Sequence, residues 1–145
     1  MGNERLDFIR KHIGQPIAGS PSEITNWLAG VPLVVEPGTL VIQYTVRKDM
    51  TNMMGVLHGG VSGTMLDDVC GICCLISAQD HFFATVNLSI DYLSGSQPGD
   101  VLTATATIVR QGKTIINVQA DLKKADGKIV AKCTSNLINT PIKLT

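Results

Sequence analysis

The run Asn52-Met53-Met54-Gly55-Val56-Leu57-His58-Gly59-Gly60, followed by Asp67 in an apolar stretch, holds residue types from which a hydrolytic site can be built. Two glycine amides at the start of a helix offer N–H groups without intrahelical partners, at the end where the backbone dipole favours negative charge. Such an end holds a phosphate or the oxyanion of an attacked carbonyl. A carboxylate that reaches the same point activates water.

Residues 59–77 read as the one long helix of the chain. At about 100° per residue, Val61, Met65, Val69, Ile72 and Ile76 form an apolar stripe, which is the expected core face. The opposite side carries Gly60, Gly63, Asp67, Gly71 and Cys74. Interior glycines cost roughly 0.5–1 kcal/mol each relative to alanine, so a stripe of them implies close approach of another backbone or a ligand. Asp67 lies within that stripe, whereas Asp68 is turned about 100° toward the edge of the apolar face.

Gly59 and Asp67 are eight positions apart, roughly 12 Å along a helix. An oxyanion donor and a base must both act within about 3 Å of one reaction centre. One helix cannot place both there. Two helices side by side and antiparallel across a two-fold axis can, with the N-terminus of one meeting Asp67 of the other. The expectation is a homodimer with two composite sites.

The remaining elements frame this helix. Leu6, Ile9 and Ile13 follow helical spacing and stop at Gly14, predicting a helix over 4–13. Ser20-Pro21-Ser22-Glu23 predicts a second start, with Ser20 as N-cap, Pro21 first and Glu23 third, ending at Gly30. Leu33 to Glu36 and Thr39 to Arg47 read as strands joined by Pro37-Gly38, and further strands are expected near 83–93, 101–110, 114–124 and 128–139. Gln111-Gly112 and Asp126-Gly127 read as hairpin turns. In the strand at 83–93, Ala84, Val86, Leu88, Ile90 and Tyr92 alternate with Phe83, Thr85, Asn87, Ser89 and Asp91, so one set should face the helix. The result is one α+β domain over 1–145, with residues 1–30 packing on it as helices.

Twelve basic residues balance twelve acidic ones and the pI is about 6.8, a charge that draws the chain neither to nucleic acid nor to an anionic membrane. The start Met-Gly-Asn-Glu-Arg-Leu-Asp lacks the apolar run of a secretory signal, and Leu6 stands where a myristoylation signal wants Ser or Thr. No apolar run is expected to approach the ~20 residues of a membrane span. The expected location is cytoplasmic. Of the four cysteines, Cys70, Cys73 and Cys74 share the long helix and Cys133 stands alone, a pattern of small buried hydrophobes with no metal.

Asn52-x-x-Gly55-x-Leu57-His58-Gly59-Gly60 with Asp67 resembles the hotdog-fold acyl-CoA thioesterases of the phenylacetate-degradation type. Asn87-x-Ser89-Ile90-x-Tyr92-Leu93, Pro98-Gly99-Asp100, Arg110-Gln111-Gly112-Lys113-Thr114 and Asp126-Gly127-Lys128 resemble later segments of that family, so the likeness runs over roughly 33–140. The resemblance implies a curved antiparallel sheet wrapped around one long helix, dimers with a continuous sheet, and a further pairing of dimers into tetramers in many members. It implies Asp67 as the base that activates water, or as the nucleophile, and Gly59 N–H as the group that polarises the thioester carbonyl. His58 would support substrate orientation, Asn52 would hold the water or the carbonyl, and Thr85 falls where relatives carry a water-orienting serine. From the residues alone, His58 equally caps the helix and Asn52 equally fastens its loop. The Gly60 amide would face the site beside Gly59, and flexible Met53 and Met54 suit an acyl tunnel or a core. No cofactor is needed, because coenzyme A is part of the substrate.

After Leu93, many relatives carry a basic residue followed by proline, whereas this chain has Ser94-Gly95-Ser96-Gln97-Pro98. Coenzyme A phosphates would then be met by Arg110 or Lys113, with Lys123 and Lys124 as further candidates, all of which also serve as solvated charge. Two rival readings remain, a hotdog acyl-thioester dehydratase or hydratase and a non-catalytic acyl-CoA-binding module. The His-Gly-Gly to Asp67 spacing favours hydrolysis over the first. The absence of a basic recognition helix disfavours a DNA-linked sensor.

Overall fold

In the computed structural model, which describes residues 3–78 and 80–144, two short helices come first, α1 (Glu4–Arg10) and α2 (Glu23–Leu28). A hairpin of β1 (Val31–Glu36) and β2 (Thr39–Thr45) follows, then a single 3-10 turn at Lys48–Met50 and the long helix α3 (Gly59–Ser77). Four strands complete the chain, β3 (His81–Tyr92), β4 (Val101–Gln111), β5 (Ile115–Lys124) and β6 (Ile129–Lys143). They form one antiparallel sheet in the order β1-β2-β4-β5-β6-β3, so α3 carries the chain from one half of the sheet to its far edge. This is the curved sheet around one long helix that the resemblance implies.

Burial of α3 organises the core. Met65, Leu66, Val69, Cys70, Cys73 and Ile76 are buried against Leu40, Ile42, Leu102, Ile116, Val118 and Leu122 of the sheet. Ala104, Ala106, Ala120 and Ala131 are also buried, and these short side chains let the helix settle close to the strands. The buried arc is wider than the expected stripe, because a sheet that curls around a helix covers more than one side of it. At nineteen residues and a mean hydropathy of 1.4, α3 also has the length and composition of a membrane span, contrary to expectation; the sheet around it accounts for that apolarity.

Several local expectations are corrected. The first helix ends at Arg10, and residues 11–14 continue as tight turns with Gly14 at φ +85°. The second helix is capped by Ser22, whose Oγ accepts from Thr25 N–H at 3.3 Å, while Ser20 Oγ receives Ser22 N–H. Glu23 is therefore the first helical residue and Ala29, in the left-handed region at φ +52°, is the C-cap. In β3 the pairing shifts between Thr85 and Asn87, so Val86 sits in a bulge. The bulge resets the alternation, and Phe83 now shares the helix side with Leu88 and Ile90, all three packing on the core. The small-residue stripe of α3 is met by this same strand, for a Cβ on Gly63 would lie 3.1 Å from Ile90 Cδ1.

The two sheet edges differ. The carbonyls of β1 are taken by the N-terminal segment: Gly14 N–H donates to Pro32 O at 3.0 Å and Arg10 Nε to Val35 O at 3.1 Å. At the other end β3 pairs with β6 on one side, and among the described residues no strand lies on its other side. Val86, Tyr92 and Leu93 are exposed along it.

Gly30 provides a packing test. A Cβ there would stand 2.5 Å from Ile42 Cγ2 and 2.6 Å from Tyr44 Cε1, both on fully buried side chains. Gly30→Ala is expected to destabilise the fold by about 1–3 kcal/mol, the usual cost of overpacking, as read by urea denaturation.

Candidate active site

The start of α3 is fixed by its loop. Asn52 Oδ1 accepts from Met54 N–H at 2.9 Å and Val56 N–H at 3.3 Å, so its side chain fastens the turn. Gly55, at φ +75°, closes that turn by donating to Asn52 O. Met53 and Met54 are thereby thrown outward, at 104% and 83% exposure, and within one protomer they do not line a tunnel. Leu57 N–H donates to Ser96 O and His58 N–H to Met50 O, which pins the residues just before the helix.

His58 is the N-cap. Its Nδ1 accepts from Gly60 N–H at 2.8 Å, and its carbonyl accepts from Val61 and Ser62 N–H. Of the amides at this end, Gly59 N–H alone has no partner among the described residues. The Gly60 amide is therefore occupied rather than free for substrate, although Gly60 itself lines the groove beside the helix. Tyr92 holds Gly59 from the other side, donating its hydroxyl to Gly59 O at 3.0 Å.

Asp67 lies two turns further along α3 and faces β3. Thr85 Oγ1 donates to Asp67 Oδ1 at 3.0 Å, a contact that depends on the bulge at Val86. Oδ2 has no hydrogen-bond partner among the described residues, and the half-buried residue lines the groove beside α3. Asp68 has a different surrounding. It accepts from Thr25 Oγ1 of α2 at 2.9 Å and is half-buried. Burial pushes its carboxyl up from 3.8 to about 6, the Thr25 bond works against this, and the Asp67 charge adds to it. Asp67, Asp68 and Thr85 open on one groove of about 920 Å³ that runs between α3, β3 and the two N-terminal helices.

Within one protomer the structure thus joins Asp67 to Thr85, and Asn52 and His58 to the N-terminus of α3. It keeps these two groups apart by the length of helix between them. Arg110 and Lys113 are exposed on the β4–β5 hairpin, which Gln111 Nε2 ties to Ser77 O at the opposite end of α3 from Gly59. The cysteines are buried, and burial lifts the Cys73 and Cys74 thiols to about 12, which leaves them protonated near neutral pH.

The model of the thioesterase superfamily matches residues 54–131, from the loop before α3 to β6. Human acyl-coenzyme A thioesterase 13 is 32% identical over 97 residues, 66% of this chain and 69% of that protein. The chain belongs to the thioesterase superfamily. Its enzyme class is thioester hydrolase. A phenylacetic acid degradation-related protein from Ralstonia eutropha JMP134 superposes with a TM-score of 0.78 at 31% identity, over 90% of this chain and 98% of that one. The smu.793 protein of Streptococcus mutans UA159, solved bound to acetyl-CoA, gives 0.73 at 25% identity over 77% and 88%. The fold is accordingly the hotdog of the phenylacetate-degradation type.

Sequence reasoning missed Tyr92 as the support of Gly59, and Thr25 as the partner of Asp68. Tyr92 stood in a recognised motif, but its role needs the strand's path past the helix. Thr25 carried no signal, since its partner is 43 residues away.

The two aspartates can be separated by pH. Asp68 binds its proton more tightly in the folded chain than in the unfolded one. Its contribution to stability is full below about pH 4 and is lost as pH rises through about 6. Asp68→Asn keeps an acceptor for Thr25 without the charge. It should raise unfolding stability at pH 8 by on the order of 1–3 kcal/mol, with the gain absent at pH 4, in urea melts at the two pH values.

Proposed function

We propose that the chain hydrolyses an acyl-CoA thioester to a free acid and coenzyme A, in composite sites formed by two copies. The observation that carries this reading is the unpartnered Gly59 N–H at the α3 N-terminus together with a water-accessible Asp67 fixed by Thr85. Eight helical residues separate them, roughly 12 Å, so one copy supplies the carbonyl-polarising amide and the other the base. The free edge of β3 is the natural seam, because the β1 edge is already sealed by the N-terminal segment. Pairing two β3 strands about a two-fold sets the two α3 helices antiparallel.

In this mechanism the thioester carbonyl oxygen sits at Gly59 N–H of one copy. Water lies at Asp67 Oδ2 of the other and gives its proton to that carboxylate as its oxygen attacks the carbonyl carbon. Negative charge then develops on the carbonyl oxygen, where the amide and the helix dipole stabilise it. Collapse of the tetrahedral intermediate breaks the C–S bond and expels the coenzyme A thiolate, which takes up a proton. Thr85, by donating to Oδ1, holds the carboxylate in the orientation that leaves Oδ2 for water. A thiolate is a good leaving group, so one base and one oxyanion donor suffice. Acyl-CoA as the substrate class draws support from the coenzyme A thioesterase among the relatives and from the acetyl-CoA-bound structure.

Two single variants test the composite site. Asp67→Asn removes the base. Gly59→Pro removes the N–H at a position where proline fits the first helical turn, and His58, at ψ 134°, has the extended backbone that must precede proline. Each alone should lower kcat by about 10²–10³-fold or more. Co-expressed in equal amounts, the two should recover about one quarter of wild-type activity, since half the dimers are mixed and each holds one intact site. Thiol release that stays at the level of the single variants would refute a site shared between copies.

A further inference from the structure

The groove beside Asp67 has two unlike halves. Its floor is a stripe of α3 running through Gly60, Asp67, Gly71 and Leu75, about 22 Å of helix with Asp67 near the middle. Toward Leu75 the walls are mainly apolar, formed by Phe8 and Ile9 of α1, Ile72 of α3, and Phe82 and Phe83 of β3, with Glu4 and Arg5 of α1 also in the lining and Arg5 tied to Leu75 O. The start of α1 is fastened to this end: Asn3 Nδ2 donates to Ile76 O at 2.8 Å and Arg5 Nε to Leu75 O at 3.1 Å. Phe8 is backed by the His12 ring at 4.8 Å and by the Lys11 ammonium at 5.0 Å, so its ring is a held wall.

Gly71 is the second observation. A glycine in mid-helix lowers stability by roughly 0.5–1 kcal/mol relative to alanine. Gly30 and Gly63 have packing reasons, since a Cβ at either would crowd a neighbour. Gly71 has none: a Cβ there would meet nothing within 4 Å. It stands one turn beyond Asp67, on the floor of the groove's apolar half, where a side chain would fill the passage.

We infer that the acyl group of the substrate lies over Gly71 toward α1, with Phe8 setting how long a chain is admitted. This rests on the thioesterase reading above and names its substrate class, an apolar acyl chain rather than acetyl or a charged acyl group. The segment that sets the limit lies outside the part of the chain matched by the superfamily model, residues 54–131. Chain-length preference is therefore carried by the N-terminal helices, while the chemistry is carried by α3 and β3.

The test compares octanoyl-CoA with acetyl-CoA. The kcat/KM ratio is measured by thiol release, and the affinity ratio by calorimetry with the non-hydrolysable thioether analogues of both. The wild type should prefer octanoyl by at least tenfold. Gly71→Leu should lower both ratios at least tenfold, and Phe8→Leu, which opens the far wall, should shift the preference toward dodecanoyl-CoA. Gly71→Ala should raise the melting temperature while lowering the octanoyl ratio, a combination that a packing role for Gly71 does not produce. Equal loss on both esters with dissociation of the dimer would show that a second copy covers Gly71, and would overturn the inference. So would ratios that do not change. Absence of hydrolysis on every ester would instead refute the proposed reaction, with the analogue affinities still reporting on the groove.

Discussion

An α-helix is a rigid rod, and the rod at the centre of this fold holds the two groups of the proposed reaction at points that cannot meet. The free amide of Gly59 and the carboxylate of Asp67 are held apart by about 12 Å of hydrogen-bonded backbone. No side-chain rearrangement closes that gap, because α3 is packed on the sheet through Met65, Leu66, Val69, Cys70 and Cys73. In the proposed mechanism, the burial that stabilises the domain therefore leaves each copy with half a site at each of two places. On the proposed reading, self-association is then a condition of catalysis rather than an addition to it.

In the proposed assembly, sheet topology decides which surface meets a second copy. An open sheet has two edges, and each exposes backbone groups that can pair with another chain. On the β1 side, Arg10, Gly14 and Ile17 bond to the backbone of residues 30–35, so that edge is blunted from within. The β3 edge keeps a twelve-residue strand available, with exposed Val86, Tyr92 and Leu93 along it. The same strand supplies Thr85 to Asp67 and Tyr92 to Gly59. The proposed seam and the candidate site thus share one element, and the bulge at Val86 turns Thr85 toward the helix.

Much of this was legible from the sequence, and what was not has identifiable physical reasons. The limits of α3 at 59 and 77 were readable because a His-Gly-Gly start and a long apolar run leave no competing period. The hairpin at Asp126-Gly127 was readable from turn chemistry, and Gly127 takes the positive φ that this chemistry requires. The phase of β3 was not readable, because alternation assumes an unbroken ladder and one extra residue inverts it beyond that point. The spacing of Ser20, Pro21 and Glu23 points to Ser20 as the cap, and tertiary contact moves the cap to Ser22: Ser20 N–H is drawn to Asn26 Oδ1 and Thr25 to Asp68. Asn52 reads from the sequence as a loop fastener or a site residue, and its two backbone bonds show its Oδ1 fastening the loop.

Asp67 and Asp68 show how neighbouring residues of one type come to do different work. One helical step of about 100° separates them, enough to put the first beside a hydroxyl at the groove and the second under α2. A carboxylate that is to accept a proton from water must be reachable, and in the proposed reaction Asp67 meets that condition at the groove, where its Oδ2 has no partner among the described residues. Asp68 is drawn toward its protonated form by burial, and its bond to Thr25 fixes α2 along the groove wall. The N-terminal segment consequently acts at two distances from the reaction. It seals the β1 edge, which leaves β3 as the edge open to pairing, and it walls the groove, which limits what can reach Asp67. The bonds differ, since Arg10, Gly14 and Ile17 hold the β1 edge whereas Asn3, Arg5 and Thr25 fasten α1 and α2 to α3, so on the proposed reading assembly and substrate choice can be altered separately.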